Sequence, residues 1–202
     1  MKPVFYLLAG PNGAGKSTLY RSAVASGLLP VDAEFVNADL YESSALQHIA
    51  DSQIRSTQAR AWADARRTAC LKQGMSFVSE TVFSHPSKLA LMREARAAGF
   101  TVVLLVVCVN DPHQLLGRVA QRVTEGGHDV PADRILARYP RTLQHLQSAI
   151  PLADLALLYD TSGVGRHGVS GPKLVARWRE GQWTWQVQRP PTWAKKIQPS
   201  GV

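Results

Sequence analysis

The 202-residue chain is poor in cysteine, sparing in aromatic residues and without a long apolar run. Its two thiols, Cys70 and Cys108, stand far apart and lack metal-ligand spacing. That excludes a disulfide framework and points to a reducing compartment, the cytoplasm. The longest apolar stretch, Val102 to Val109, has the length of a strand and falls far below the ~20 residues that a membrane helix needs. Val4 to Ala9 is too short for the apolar part of a secretory signal and runs directly into a glycine loop. Acids are outnumbered, 15 against 23 Lys and Arg, for a net charge of +8 and a pI near 9.9. Such a balance suits a polyanionic partner but says nothing about fold. The excess is concentrated at the C-terminal end: residues 161–202 hold seven basic residues and a single acid, Glu180.

What is present is an alternation. Apolar, strand-like runs at Val4–Ala9, Phe35–Val36, Ser76–Ser79, Thr101–Val109 and Leu155–Tyr159 are separated by segments of helical period. This is the pattern of a doubly wound α/β domain, a three-layer sandwich with about five parallel strands buried on both faces. The spacing predicts a helix over Ser44–Gln73, broken once and ended by Gly74, and another over Pro86–Ala98 before Gly99. A third opens at Asp111. A fourth begins at Pro131, and Pro140 is expected to kink or break it. Residues 1–162 form the expected α/β domain. Residues 163–202 are expected to add a β-hairpin, with Trp178, Trp183 and Trp185 on one face and a turn at Glu180-Gly181, and then an extended or frayed proline-containing arm.

The most specific signal follows the first strand. Gly10, Pro11, Asn12, Gly13, Ala14, Gly15, Lys16, Ser17 and Thr18 satisfy G-x-x-x-x-G-K-[ST] between a strand and a helix, the context this motif needs. Glycines let successive backbone N–H groups wrap a phosphate, and the positive end of the next helix adds to the attraction. Lys16 is expected on the β and γ phosphates of ATP and Ser17 on Mg2+. The motif makes the expected doubly wound fold, residues 1–162, a P-loop NTPase domain, but by itself it does not separate a kinase from an ATPase or a nucleotide-gated switch.

Other polar residues cluster at the same sheet edge. Asp39, in Val36-Asn37-Ala38-Asp39, is placed to accept a proton from an attacking hydroxyl or to help hold the metal, or else only to cap the next helix. Glu80 and Thr81 end the third strand and are candidates for contact with a substrate hydroxyl. Arg118 and Arg122, then Gly126-Gly127-His128, then Arg134 and Arg138 have the makings of a lid over about 118–140: two cationic helix faces about a glycine hinge, with His128 a substrate-binding candidate.

Taken in order, GPNGAGKST, VNAD, SETVFSH, RVAQRVTEGGHDVPADRILARYPRTL and LLYDTS resemble the zeta toxin family of P-loop kinases, especially a short bacterial branch. The resemblance implies an ATP- and Mg2+-dependent kinase with Asp39 as general base. It also implies Glu80 and Thr81 against a sugar substrate, and Arg118, Arg122 and Arg134 as candidates to grip phosphates. Relatives phosphorylate a hydroxyl of UDP-N-acetylglucosamine and are silenced by a small antitoxin protein.

Two other readings stay open. A nucleic-acid-directed enzyme of the polynucleotide kinase kind would use the basic, tryptophan-bearing C-terminal segment, although alternating tryptophans also suit a hairpin face packed on the core. A non-catalytic module would use the P-loop only to gate binding of a partner.

Overall fold

The computed structural model describes residues 2–125, 130–165, 168–169 and 171–199. Its elements follow in chain order: β1 Val4–Ala9, α1 Lys16–Ala25, β2 Glu34–Val36, α2 Ala38–Ala45, α3 Ser52–Gln73, β3 Phe77–Thr81, α4 Ser87–Ala97, β4 Thr101–Cys108, α5 His113–Thr124 and α6 Ala132–Ala149. A 3-10 turn over Ile150–Leu152 leads to β5 Leu155–Asp160, the two-residue strands β6 Val164–Gly165 and β7 Gly168–Val169, then β8 Lys173–Arg179, β9 Gln182–Trp185 and α7 Thr192–Ile197.

Seven strands form one sheet in the order β2-β3-β1-β4-β5-β8-β9. The first five are parallel, while β8 runs antiparallel to β5 and β9 antiparallel to β8. The central strands carry the core: Phe5, Leu7, Leu8, Val102, Leu104, Leu105 and Val106 are all fully buried. Such unbroken apolar runs are what a strand covered on both faces requires. Burying a leucine or phenylalanine contributes about 1.5–3 kcal/mol. From β1 the chain passes to β2 and β3 on one side and afterwards to β4 and β5 on the other, so a crevice opens beyond the C-terminal ends of β1, β3 and β4.

Glu80 and Thr81 end β3, paired with Leu8 and Ala9 of β1. Three expectations are corrected. The segment expected as one helix broken once does divide in two, but its first part begins at Ala38 and not at Ser44, because Asn37 caps it: Asn37 Oδ1 accepts from the backbone N–H of Asp39 at 2.9 Å and of Leu40 at 3.2 Å. Pro140 does not break α6, which is continuous from Ala132 to Ala149. Tyr139, Thr142, Leu143 and Leu146 on both sides of the proline are buried, and the Arg141 guanidinium donates to Ala137 O at 3.2 Å beside the carbonyl that a proline deprives of its donor. The tail is no frayed arm through residue 199. In α7, Trp193, Ala194 and Ile197 are buried against the body, and Trp193 Nε1 donates to Asp160 Oδ1 at 2.7 Å.

The hairpin forms as expected, with Trp178 opposite Trp183 and Ala176 opposite Trp185. Glu180 at φ 54° and Gly181 at φ 81° make the tight turn, both in the left-handed region that twists a hairpin the right way. The tryptophan face packs inward: Trp178 is 7% exposed, and Trp183 and Trp185 meet edge to face at 5.1 Å.

Candidate active site

The loop between β1 and α1 is shaped by close packing underneath it. A Cβ at Gly10 would lie 2.0 Å from the Val107 carbonyl oxygen, and one at Gly13, where φ is 79°, would lie 2.9 Å from Leu115 O. Only glycine lets the chain pass there. From beyond the end of β5, Thr161 Oγ1 donates to Ala14 O at 2.9 Å and braces the loop. The first turn of α1 contains no acid and no side-chain cap, so its N–H groups face no competing anion of the helix's own. Lys16 is only 8% exposed; its Nζ donates to Pro11 O at 3.2 Å and lies 3.6 Å from Glu80 Oε1. Ser17 is exposed.

Glu80 is held from the other side as well, since Asn37 Nδ2 donates to Glu80 Oε2 at 3.2 Å. A single buried amide therefore caps α2 and fixes the carboxylate beside the P-loop lysine. With Asn37 as the cap, Asp39 is not needed for that role. It lies in the first turn of α2, exposed and lining a cavity of about 600 Å³ that Lys16 and Glu80 also line.

The rest of the cavity wall comes mainly from α3, α4, α6 and the segment after β3, with Glu42 of α2 and Arg122 of α5. Arg67, 6% exposed, donates through Nε to Ser79 Oγ at 2.8 Å and pairs with Asp64 at 2.5 Å. Burial pulls the Arg67 guanidinium below its ordinary range, opposed by the Asp64 charge. Lys88, 3.6 Å from Asp64, is likewise pulled down, first by burial and then by Arg67. Phe83, buried at φ 63°, holds a strained left-handed turn. The turn is secured from α6: Thr142 Oγ1 donates to Val82 O at 3.1 Å, and His145 Nδ1 lies 3.2 Å from Phe83 O.

The residues singled out from the sequence thus divide. Lys16, Asp39, Glu80, Thr81 and Arg122 line the one cavity together. Thr81 is also occupied structurally, its Oγ1 accepting from Phe83 N at 3.0 Å and its carbonyl from Gly10 N at 3.3 Å. Arg118 lies elsewhere: it donates to Thr161 Oγ1 at 3.1 Å and Thr161 O at 2.5 Å, and so buttresses the P-loop brace. Arg134 does not line the cavity, whereas its helix neighbours Arg138 and Arg141 do. Gly126, Gly127 and His128, the expected hinge, lie outside the described residues. Sequence reasoning overlooked the α3 wall of Arg60, Asp64 and Arg67, although their spacing of four and then three puts all three on one helix face.

A model of the zeta toxin family matches residues 1–155. The chain belongs to the zeta toxin family. Membership supports a P-loop phosphotransferase. An uncharacterised protein of Haemophilus influenzae is 32% identical over 145 residues, which make up 68% of this chain and 92% of that one. Among solved structures, the AvrRxo1-ORF1 and AvrRxo1-ORF2 complex with ATP superposes with a TM-score of 0.72 at 18% identity, covering 100% of this chain and 65% of the matched one. The PezAT chromosomal toxin-antitoxin system of Streptococcus pneumoniae gives a TM-score of 0.65 at 16% identity over 92% of this chain and 75% of the matched one. At these identities the two structures show a shared fold. This zeta toxin family chain spans about two thirds of the AvrRxo1 chain it matches.

Proposed function

We propose that this chain is an ATP- and Mg2+-dependent kinase that moves the γ-phosphoryl group onto a hydroxyl of a small molecule, with a nucleotide sugar such as UDP-N-acetylglucosamine as the first acceptor to try. The observation that carries the reading is the division of labour at the start of α2: Asn37 takes the capping role, which leaves the Asp39 carboxylate without a side-chain partner among the described residues, facing the cavity that Lys16 lines. An acid in that position serves a transfer reaction and has no evident structural duty.

The donor half fits a nucleoside triphosphate with its metal. A glycine-built loop, an uncapped helix N-terminus and a nearly buried ammonium favour phosphate, and the hydroxyl of the exposed residue Ser17 fits a Mg2+ ligand, with Asp39 as a second candidate. When bound, ATP and Mg2+ supply the electrophilic phosphorus and a neutralised leaving group. Lys16 turns from Pro11 O and Glu80 to the phosphate oxygens, Asp39 takes the proton of the attacking hydroxyl, and Glu80, anchored by Asn37, orients the acceptor. A small antitoxin partner and a cytoplasmic setting complete the proposal. Both solved relatives above are two-component complexes, AvrRxo1-ORF1 with ORF2 and the PezAT toxin-antitoxin system.

The test uses γ-labelled ATP with nucleotide sugars, nucleosides, amino sugars and oligonucleotides. Label is expected on one acceptor class, Asp39→Asn should still bind ATP but lose transfer, and Lys16→Ala should lose both. ATP hydrolysis with no acceptor labelled would replace the kinase by an ATPase or a switch. Wild-type turnover in Asp39→Asn would remove the base assignment.

A further inference from the structure

A doubly wound sheet is covered by helices on both faces, and here one face is covered only in part. The strand register puts Leu7, Ser79, Leu104, Ala156 and Trp178 on one face, and Phe35, Val78, Tyr6, Val103, Leu155 and Arg179 on the other. The steps from β2 to β3, β3 to β4 and β4 to β5 all run the same way along the sheet, and right-handed connections put their helices on one side. That side is the first face: Arg67 of α3 bonds to Ser79, Trp193 of α7 to Asp160, and α6 packs against α4, α5 and α7. On the second face lies α1, whose Tyr20 stacks on Phe35 of β2 at 4.1 Å. Over β5 and β8 that face carries no helix among the described residues. A cavity of about 900 Å³ lies there instead, toward the N-terminal ends of β4 and β5 and thus at the opposite end of the sheet from the P-loop.

Its floor is apolar and its rim cationic. Val103, Leu155, Leu157 and Leu174 form the floor, and Arg96, Arg177 and Arg179 stand around it. Cross-strand pairing sets Arg177 opposite Leu157 and Arg179 opposite Leu155. Two acids also line the cavity, and both are engaged: Asp154 Oδ2 accepts from Val102 N–H at 2.8 Å, and Glu180 Oε1 from Arg179 Nε at 3.1 Å. Arg96 donates to Leu152 O at 2.9 Å through one nitrogen. Arg177 is exposed and has no hydrogen-bond or ion-pair partner among the described residues, so its whole fork of donors is available.

We infer that this cavity is a second ligand site, separate from the P-loop cavity, and that it takes an amphipathic carboxylate: an alkyl or aryl body on the leucine floor, with its carboxylate on Arg177. A mostly apolar cavity with a few convergent polar groups is the usual form of a small-molecule site. A guanidinium fork matches the two oxygens of a carboxylate. A neutral hydrocarbon would leave Arg177 without a partner, and a polyanion would leave the floor unused. The hairpin's tryptophans lie on the first face, so they give no stacking platform beside these arginines, which weighs against a nucleic acid here. Arg177 and Arg179 also fall beyond residues 1–155, the part that the family model matches. The site stands whether or not the P-loop serves a kinase.

The experiment titrates decanoate and naphthoate, each in turn, into the full chain by calorimetry, with the P-loop saturated by a non-hydrolysable ATP analogue. Wild type should bind at least one of them saturably, and the tighter of the two tells an alkyl from an aryl body. Arg177→Gln should weaken that binding roughly tenfold while affinity for the ATP analogue stays within about twofold, and Arg177→Lys should recover part of the loss. Leu155→Gln should weaken it as well, and decanol and naphthol should bind more weakly than the acids. Arg177 is exposed, so its variants are expected to fold, which thermal melts check. Failure of both acids to bind saturably, equal binding by Arg177→Gln, or equal binding of the neutral alcohols overturns the site. Titrations without the analogue should give the same affinity. Binding seen only in its absence would place the acid in the nucleotide loop and overturn the inference too.

Discussion

Asn37 offers a prediction in which stability and chemistry separate. Its side chain is 8% exposed and does two things: Oδ1 caps α2 through the N–H groups of Asp39 and Leu40, and Nδ2 donates to Glu80 Oε2 at 3.2 Å. Removing an N-cap costs about 1 kcal/mol. Removing a hydrogen bond to a charged acceptor costs about 1.5–3 kcal/mol, reduced here because Glu80 keeps Lys16 at 3.6 Å. Asn37→Ala should therefore lose about 2–3 kcal/mol, and Asn37→Ser, which can still cap, about 1 kcal/mol less. For a domain of this size that is a fall in Tm of about 5–10 °C for alanine. Circular dichroism melts and urea titrations measure both. In the labelling assay the alanine variant should lose transfer by roughly a hundredfold while ATP still binds, because the first turn of α2 carries Asp39 and a shift of about 1 Å suffices for such a loss. Alanine and serine variants of equal stability would refute the capping account. A stable alanine variant with full transfer would refute the link between the cap and the base.

Further outcomes follow from the packing. Gly10→Ala places a methyl group 2.0 Å from a backbone oxygen, so it should yield protein that is destabilised by several kcal/mol or does not fold, as read by soluble yield and urea midpoint. Trp193→Ala empties the space of a side chain that is 1% exposed and deletes its bond to Asp160, and should cost about 3–5 kcal/mol in the same titration. Burial pushes the Cys108 thiol up to about 12 from an ordinary 9.0. The folded state therefore holds this proton more tightly than the unfolded chain. The stability it contributes is complete below pH about 9 and is lost as pH rises toward 12. Urea midpoints at pH 8 and 10.5 should show a smaller alkaline loss in Cys108→Ala than in wild type.

How much of this was legible follows from where the information sits. The five parallel strands could be read because fully buried strands are apolar without interruption, as Leu104 to Val107 are. The P-loop could be read because glycine is obligatory at Gly10 and Gly13 for reasons local to the strand, turn and helix. The extent of α2 was missed because it depends on one cap, Asn37, whose neighbour Asp39 is an equally good capping residue by type. The fate of Pro140 was misjudged because local propensity opposes the helix while its buried neighbours, Tyr139 and Leu143, hold it. The role given to Arg118 could not be checked from spacing, since its partner Thr161 is 43 residues away and meets it only through the sheet. The same holds for the tail, where a short proline-flanked segment becomes a helix once Trp193 finds Asp160.

α6 has a consequence for how such a site can change. Its inner side is fastened at three levels: Tyr139 OH to Val109 O at 2.6 Å, Thr142 to Val82 O, and His145 to Phe83 O. These attachments go to loops following two different strands, so the helix cannot slide or roll without disturbing the ends of β3 and β4 together. Arg138 and Arg141 hang from that fixed beam into the cavity and take no part in fastening it. Such a wall can exchange its cationic side chains for others at little risk to the fold, which makes it the place where related chains can diverge in what they accept while the donor loop stays the same.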